Sequence, residues 1–287
     1  MSGLERLGLR TRALRHPSFV AGMLLTALLA AAALLSLWWT PYPAAELDIP
    51  AKLQAPGAAH WLGTDSLGRD VASQLLVGAQ NSIAAGVVAV GIGLVAGVLL
   101  GCLAAAQRAS GRAWVDEGLM RAADFTFAFP ALLSAIMLTA IYGPGLMMSI
   151  VAIGIFNIPV FARIARGAAT AVWAREYISA ARVAGMGPLA ITRAHVLPNI
   201  ASPLIVQATI SFATAILAEA ALSYLGLGTQ PPQPSWGRML NDAQTLMFQA
   251  PLLAVWPGLA IMLSVLGLNL MGDGLRDLMD PKLSRQR

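Results

Sequence analysis

The sequence predicts an all-α integral membrane protein with six transmembrane helices. Three observations carry this: 57% of the 287 residues are hydrophobic and only 11% charged, the apolar residues gather into six long runs, and basic residues crowd the connections on one side. A soluble domain carries about 25% charged residues, so a chain with a mean hydropathy of +0.68 belongs in lipid. The net charge of +5 does not mark a nucleic-acid binder, because the arginines are dispersed between apolar spans and form no single basic face. Cys102, the only cysteine, lies in an apolar run, so the chain holds no intrachain disulfide.

Residues 1–18 are expected to form a cytoplasmic N-terminal segment carrying Arg6, Arg10, Arg12 and Arg15 ahead of an apolar run over 19–39. At about 20 residues the run exceeds the apolar region of a cleavable signal peptide and suffices to cross a bilayer, so it reads as a retained first span. Trp38 and Trp39 would sit at its outer interface. Residues 40–80 turn Pro-rich and polar and read as an extracytoplasmic loop with an ordered turn in HWLGTDSLGRD. Asp65 or Ser66 is expected to cap a short amphipathic helix with Val71, Leu75 and Leu76 on one face, lying at the membrane interface.

Residues 81–272 hold the remaining spans, expected at 83–106, 118–142, 146–164, 204–225 and 252–271, and 273–287 form a second cytoplasmic segment. Six spans place both termini on one side. Only Lys52, Arg69 and Arg238 fall on the other side, and the remaining sixteen of the 19 Lys and Arg share the side of the termini. The positive-inside rule then puts both termini and residues 175–199 in the cytoplasm.

Within the spans, Gly93, Gly97 and Gly101 lie four apart on one stripe, which suits close helix packing; no strand precedes them, which excludes a dinucleotide fingerprint. Pro130, Asn157 and Pro159 interrupt spans three and four and read as kinks. Gln207, Ser211 and Thr214 recur at i, i+4 and i+7, so they either line a route for a polar solute or hydrogen-bond between helices. Glu219 is the acid placed well inside a span: it meets a polar cavity or a partner, or is protonated, unless it sits at the outer membrane edge. Asp124 has Arg121 three residues before it as a local partner.

No catalytic residue and no metal site emerge. GxSxG, HExxH and CxxC are all missing, and His16, His60 and His195 stand on separate loops without a second ligand at metal spacing. A Walker A loop ends in Gly-Lys-Ser/Thr, whereas Lys52 and Lys282 follow Ala51 and Pro281, so any ATP is bound by another chain.

The charged interruption at 175–199, REYISAARVAGMGPLAITRAHVLPN, organises the second half. Good helix formers from Arg175 to Ala184 place Tyr177, Ala181 and Ala184 at i, i+4 and i+7 on one small-residue face. Gly185 is expected to stop the helix with a positive φ, and Pro188 to open a second helix. Arg175, Glu176 and Arg182 rim a knob suited to another protein's groove.

Ala180-Ala181, three residues, Gly185, nine residues, then His195-Val196-Leu197-Pro198 resembles the EAA loop of binding-protein-dependent ABC importer permeases, with Ser179 where that pattern has Glu and His195 where it often has Ile. The resemblance implies that Arg175, Glu176, Tyr177, Ser179, Ala180, Ala181, Arg182, Ala184 and Gly185 meet the ATP-hydrolysing subunit. GTDSLGRD at 63–70, RAADFTFAFP at 121–130, ILAEAALSYLGLGTQPPQPSWG at 216–237 and NLMGDGLRDLMDPKL at 269–283 are similar to the dipeptide/oligopeptide/nickel branch, specifically its "C" type subunit. The similarity runs over nearly the whole chain from Pro17.

What this resemblance implies is a type I ABC importer permease fold with a cytoplasmic coupling helix, set in the bacterial cytoplasmic (inner) membrane and working by alternating access. It also implies a heterodimer with a related permease, two cytoplasmic ATP-binding subunits that hold ATP and Mg, and an extracytoplasmic solute-binding protein. This chain itself would hold no cofactor. Dipeptides, oligopeptides, glutathione and nickel chelates are all handled by look-alike permeases. Two rival classes are an ion-coupled secondary carrier with Glu219 as the coupling acid, and a membrane-embedded enzyme, which needs a reactive pair the sequence lacks.

Overall fold

The computed structural model describes residues 16–279, and no strand occurs among them. The sidedness assigned to Arg6, Arg10, Arg12, Arg15, Lys282, Arg285 and Arg287 concerns positions outside the described residues. Helix α1, Pro17–Leu35, begins on a proline whose missing N–H costs nothing at a helix start. It runs along the last helix, α10 (Leu252–Met279), where Gly267 and Gly274 leave room for Leu25 and Phe19.

Between α1 and α2 the chain is ordered by carboxylates. Asp65 accepts from the Leu67 and Arg69 N–H groups at 2.8 and 3.0 Å, and from Arg69 Nε and Gln74 Nε2 at 2.6 and 2.9 Å. Arg69 reaches on to Asp242 at 3.2 Å. Asp70 supplies the helix cap, accepting from Ser73 N at 2.8 Å. This corrects two expectations: neither Asp65 nor Ser66 is the cap, and no separate interfacial helix exists. Val71, Leu75 and Leu76 instead open α2, Val71–Ala109, because no proline separates them from the span. Its 39 residues measure about 58 Å at 1.5 Å per residue, nearly twice a hydrocarbon core of about 30 Å, so its ends project beyond the bilayer core.

The third span is not one helix. Helices α3 (Ala113–Ala128) and α4 (Ala131–Tyr142) meet at an angle of 81°. Pro130 has no N–H to continue the ladder, and it drives Phe129 before it into extended backbone, φ −98° and ψ 131°. Asp124 also departs from expectation: it pairs with Arg163 across the helix interface and not with Arg121, because α3 lies beside α5 (Leu146–Trp173). The same Arg163 lies 4.4 Å over the Phe127 ring.

Helices α2 and α5 form the central pair. A Cβ on Gly93 or Gly101 would run into Asn157 or Ala162, and one on Gly97 would stand 2.5 Å from the Ile158 carbonyl oxygen and 2.6 Å from Phe161 Cβ. The stripe is therefore where the two backbones touch, as the spacing predicts. After α5 come α6 (Glu176–Val183) and then α7 (Pro188–Ile191), which continues through a π turn at Thr192–Val196 into α8 (Leu197–Tyr224). A short α9, Trp236–Ala243, precedes α10. Among the described residues, five helices are long and apolar enough to cross a membrane, or six if the bent pair α3–α4 counts as one crossing.

Candidate functional site: the helix between the fourth and fifth crossings

Helix α6 is short and mostly exposed, yet firmly mounted. Ile178 is completely buried in the cluster that holds Trp173, Ile191, Val196 and Ile200, and Ala181 and Met186 pack half-buried against it. Gly185 takes φ +84°, as its place at the helix end predicts. Its N–H donates to the Arg182 carbonyl at 2.9 Å and the Met186 N–H to the Ala181 carbonyl at 3.1 Å, the two bonds of a Schellman stop. Pro188 opens α7, as expected.

Two side chains fasten α6 sideways. Arg182 Nη2 donates to the Ala109 carbonyl at the end of α2, 3.3 Å away, and its guanidinium lies 5.0 Å over the Trp173 ring at the end of α5. Tyr177 meets His195 of the π turn edge-on, ring centroids 6.0 Å apart.

With Ile178 turned inward, steps of 100° per residue leave Glu176, Ala180 and Val183 facing outward, flanked by Ser179 and Ala184. Val183 is 90% exposed, and Leu189 on α7 is 83% exposed. Arg175, Glu176, Ser179, Ala180, Ala184 and Gly185 are exposed, as an external interface requires. Ala181 is turned partly inward, so the outward stripe is not that of Tyr177, Ala181 and Ala184. Ile178, the bulkiest aliphatic of the helix, takes the core-facing position and sets the rotation. Its place as the branched apolar residue between polar neighbours was the available signal.

The other singled-out residues lie apart from α6. On α8, Gln207 Nε2 donates to Ser211 Oγ at 3.2 Å, and Thr214 Oγ1 donates to the Ser211 carbonyl at 3.0 Å. Ser211 is buried and Thr214 exposed. Glu219 is fully buried and has found partners: Ser223 Oγ and Thr229 Oγ1 donate to its Oε1 at 2.6 and 3.3 Å. A cavity of about 1020 Å³ between α1, α2, α8 and α10 is lined by residues such as Val90, Leu94, Leu204 and Phe212, and offers a polar solute almost nothing to bind.

Apolar crossings around a glycine-lined pair, with a short mounted helix between two of them, define an integral membrane protein. The fold is that of a type I ABC importer permease: it matches a chain of the MetNI methionine ABC transporter, solved in inward-facing conformations, with a TM-score of 0.59 over 72% of this chain and 97% of that one, at 21% identity. Residues 97–285 match the family model described as binding-protein-dependent transport system inner membrane component, and the chain belongs to that family. It is 44% identical over 273 residues to the glutathione transport system permease protein GsiD of Pectobacterium atrosepticum, covering 95% of this chain and 89% of that one. It is 45% identical over 239 residues to the dipeptide transport system permease protein DppC of Alkalihalophilus pseudofirmus, covering 83% and 77%.

Proposed function

We propose that this chain is one of two permease subunits of an ATP-driven importer that carries di- or oligopeptides across the bacterial cytoplasmic membrane by alternating access. The carrying observation is the outward face of α6, small and weakly charged, on a helix held by Ile178, Arg182 and the Gly185 stop. Such a face seats in a groove without desolvating much charge, and its mount lets a push on α6 reach α2, α5 and α8.

In this reading two ATP-binding subunits, with ATP and Mg, sit in the cytoplasm beneath α6 and its counterpart in the second permease. ATP binding changes the separation of their grooves and hydrolysis restores it, and the spans reorient with them. An extracytoplasmic solute-binding protein delivers the solute on the opposite side. Both termini lie in the cytoplasm, as the distribution of basic residues supports. The kinship with permeases named for dipeptide and glutathione transport supports a small peptide as cargo; glutathione is the second reading, favoured by the first of those relatives.

The test is Val183→Glu in the co-expressed complex. A charge placed at a 90% exposed position leaves the fold intact but must be desolvated on docking, so ATPase co-purification and uptake fall together while pairing with the second permease persists. Wild-type ATPase binding and uptake in this variant would refute α6 as the docking helix. Titrating the associated solute-binding protein with a dipeptide, an oligopeptide and glutathione then decides the cargo. Uptake by the purified chain alone under an ion gradient would favour a secondary carrier.

A further inference from the structure

Asp116, in the first turn of α3, is an acid with no solvent-exposed surface. Arg166 of α5 grips it through both oxygens, Nε to Oδ1 at 2.8 Å and Nη2 to Oδ2 at 2.6 Å. Arg108, in the last turn of α2, adds Nη1 to Oδ2 at 3.1 Å. The two arginine side chains are 33% and 49% exposed, while the carboxylate they share is fully buried. One anion thus binds three helices at a single point. A buried ion pair is a weak source of stability, since desolvation offsets its attraction, but a two-pronged guanidinium–carboxylate contact fixes distance and angle as an apolar contact does not.

The position of this joint gives it a use. Ala109, the residue after Arg108, carries the carbonyl that accepts from Arg182 of α6, and the same Arg182 lies over Trp173 at the end of α5. Helix α6 therefore holds the ends of α2 and α5, and Asp116 locks both to the start of α3. Helix α3 leads directly into the 81° bend at Phe129–Pro130 and on to α4. We propose that Asp116 is a positioning residue for transport: it passes displacement of α6 to the broken crossing α3–α4, so that the work of the ATPases moves that crossing. This rests on the reading of α6 as the docking helix.

The experiment uses the assembled complex of both permeases, the ATPases and the solute-binding protein in proteoliposomes, and reads solute taken up per ATP hydrolysed. A residue needed only for folding changes the amount of complex and leaves this ratio alone. Asp116→Asn keeps the shape and removes the charge; the ATPases should still co-purify, and uptake per ATP should fall about 5-fold or more. Arg108→Gln leaves the two-pronged Arg166 contact in place and should lower the ratio less. If Asp116→Asn does not assemble, the decision rests on Arg108→Gln, whose wild-type ratio would overturn the proposal. With Val183→Glu abolishing docking and both other variants coupling normally, α6 stands as the docking helix and Asp116 is not its joint. With Val183→Glu docking normally, the parent reading fails and this one with it.

Discussion

Gly185→Val isolates the geometry of α6 from its surface. Apart from its chain neighbours, a Cβ on Gly185 meets no atom within 4 Å, so the main effect of valine is backbone strain at φ +84°. An L-residue in this left-handed region costs about 1–2 kcal/mol, with a β-branched one toward the upper end. Escape from the strain breaks the Gly185–Arg182 and Met186–Ala181 bonds of 2.9 and 3.1 Å, each worth about 1 kcal/mol net. Either way the docking-ready conformation loses about 2 kcal/mol, roughly 30-fold in population. Two controls bracket this. Gly185→Asn keeps much of the left-handed preference and should be mild. Gly187→Ala sits at φ −72° in open space and should be silent. The assay is the ratio of ATPase to permease in the purified complex, with uptake in proteoliposomes. Wild-type docking and uptake for Gly185→Val, or equal loss for Val and Asn, would refute the argument from the bend.

Gly97→Val should cost about 1–3 kcal/mol by forcing α2 and α5 apart at Ile158 and Phe161, seen as a lower melting temperature in detergent, whereas Gly91→Val, facing open space on the same helix, should be neutral. In a Cys102→Ala background, a cysteine at the exposed Trp61 or Gln233 should react with an impermeant thiol reagent from outside and one at Ala190 should not; the opposite labelling would reverse the sidedness. Replacing Gln207, Ser211 and Thr214 together by Ala should lower uptake while assembly and basal ATPase persist if they line the route, and loss of assembly alone would make them packing residues.

What the sequence made legible is what depends on short-range spacing. The glycine stripe and the Gly185 stop are demands of the backbone itself, and apolar length alone marks the spans. What it left illegible is choice among equivalent local options. Asp65, Ser66 and Asp70 all suit a helix cap; Asp65 is drawn off by Arg69 and Gln74, and Arg69 in turn by Asp242, far along the chain. Asp124 had Arg121 within reach along the helix and took Arg163 across the interface. Pro130 announced a break, but an angle of 81° depends on how α3 and α4 pack and is not written in Pro130. Asp116 gave no signal beyond an acid a few residues after Arg108 and Arg112, since its weight comes from burial.

These long-range ties are not spread evenly. At the end of α2 away from α6, Trp236 Nε1 donates to the Leu75 carbonyl at 3.0 Å and Asn81 Nδ2 to the Pro234 carbonyl at 2.6 Å. Along its middle the glycine stripe brings α2 against α5 so closely that an added methyl group meets the backbone of Asn157, Ile158 or Ala162. At the α6 end, Arg108 and Ala109 carry the contacts to Asp116 and Arg182. A helix fastened at both ends and along its length moves as a body. The broken crossing is held differently: Asp116 ties the start of α3 to α2 and α5, Asp124 ties its later part to Arg163, and α4 buries Ala135 and Thr139, while Phe125, Met137 and Ile141 on the two helices are 68%, 62% and 73% exposed. The bend at Pro130 separates α4 from the ladder of α3, so rotation about Phe129 strains no helical hydrogen bond. Under the docking reading proposed for α6, a push arriving through its mount would meet the α2–α5 body first and the bend at Pro130 next, where no helical hydrogen bond opposes it.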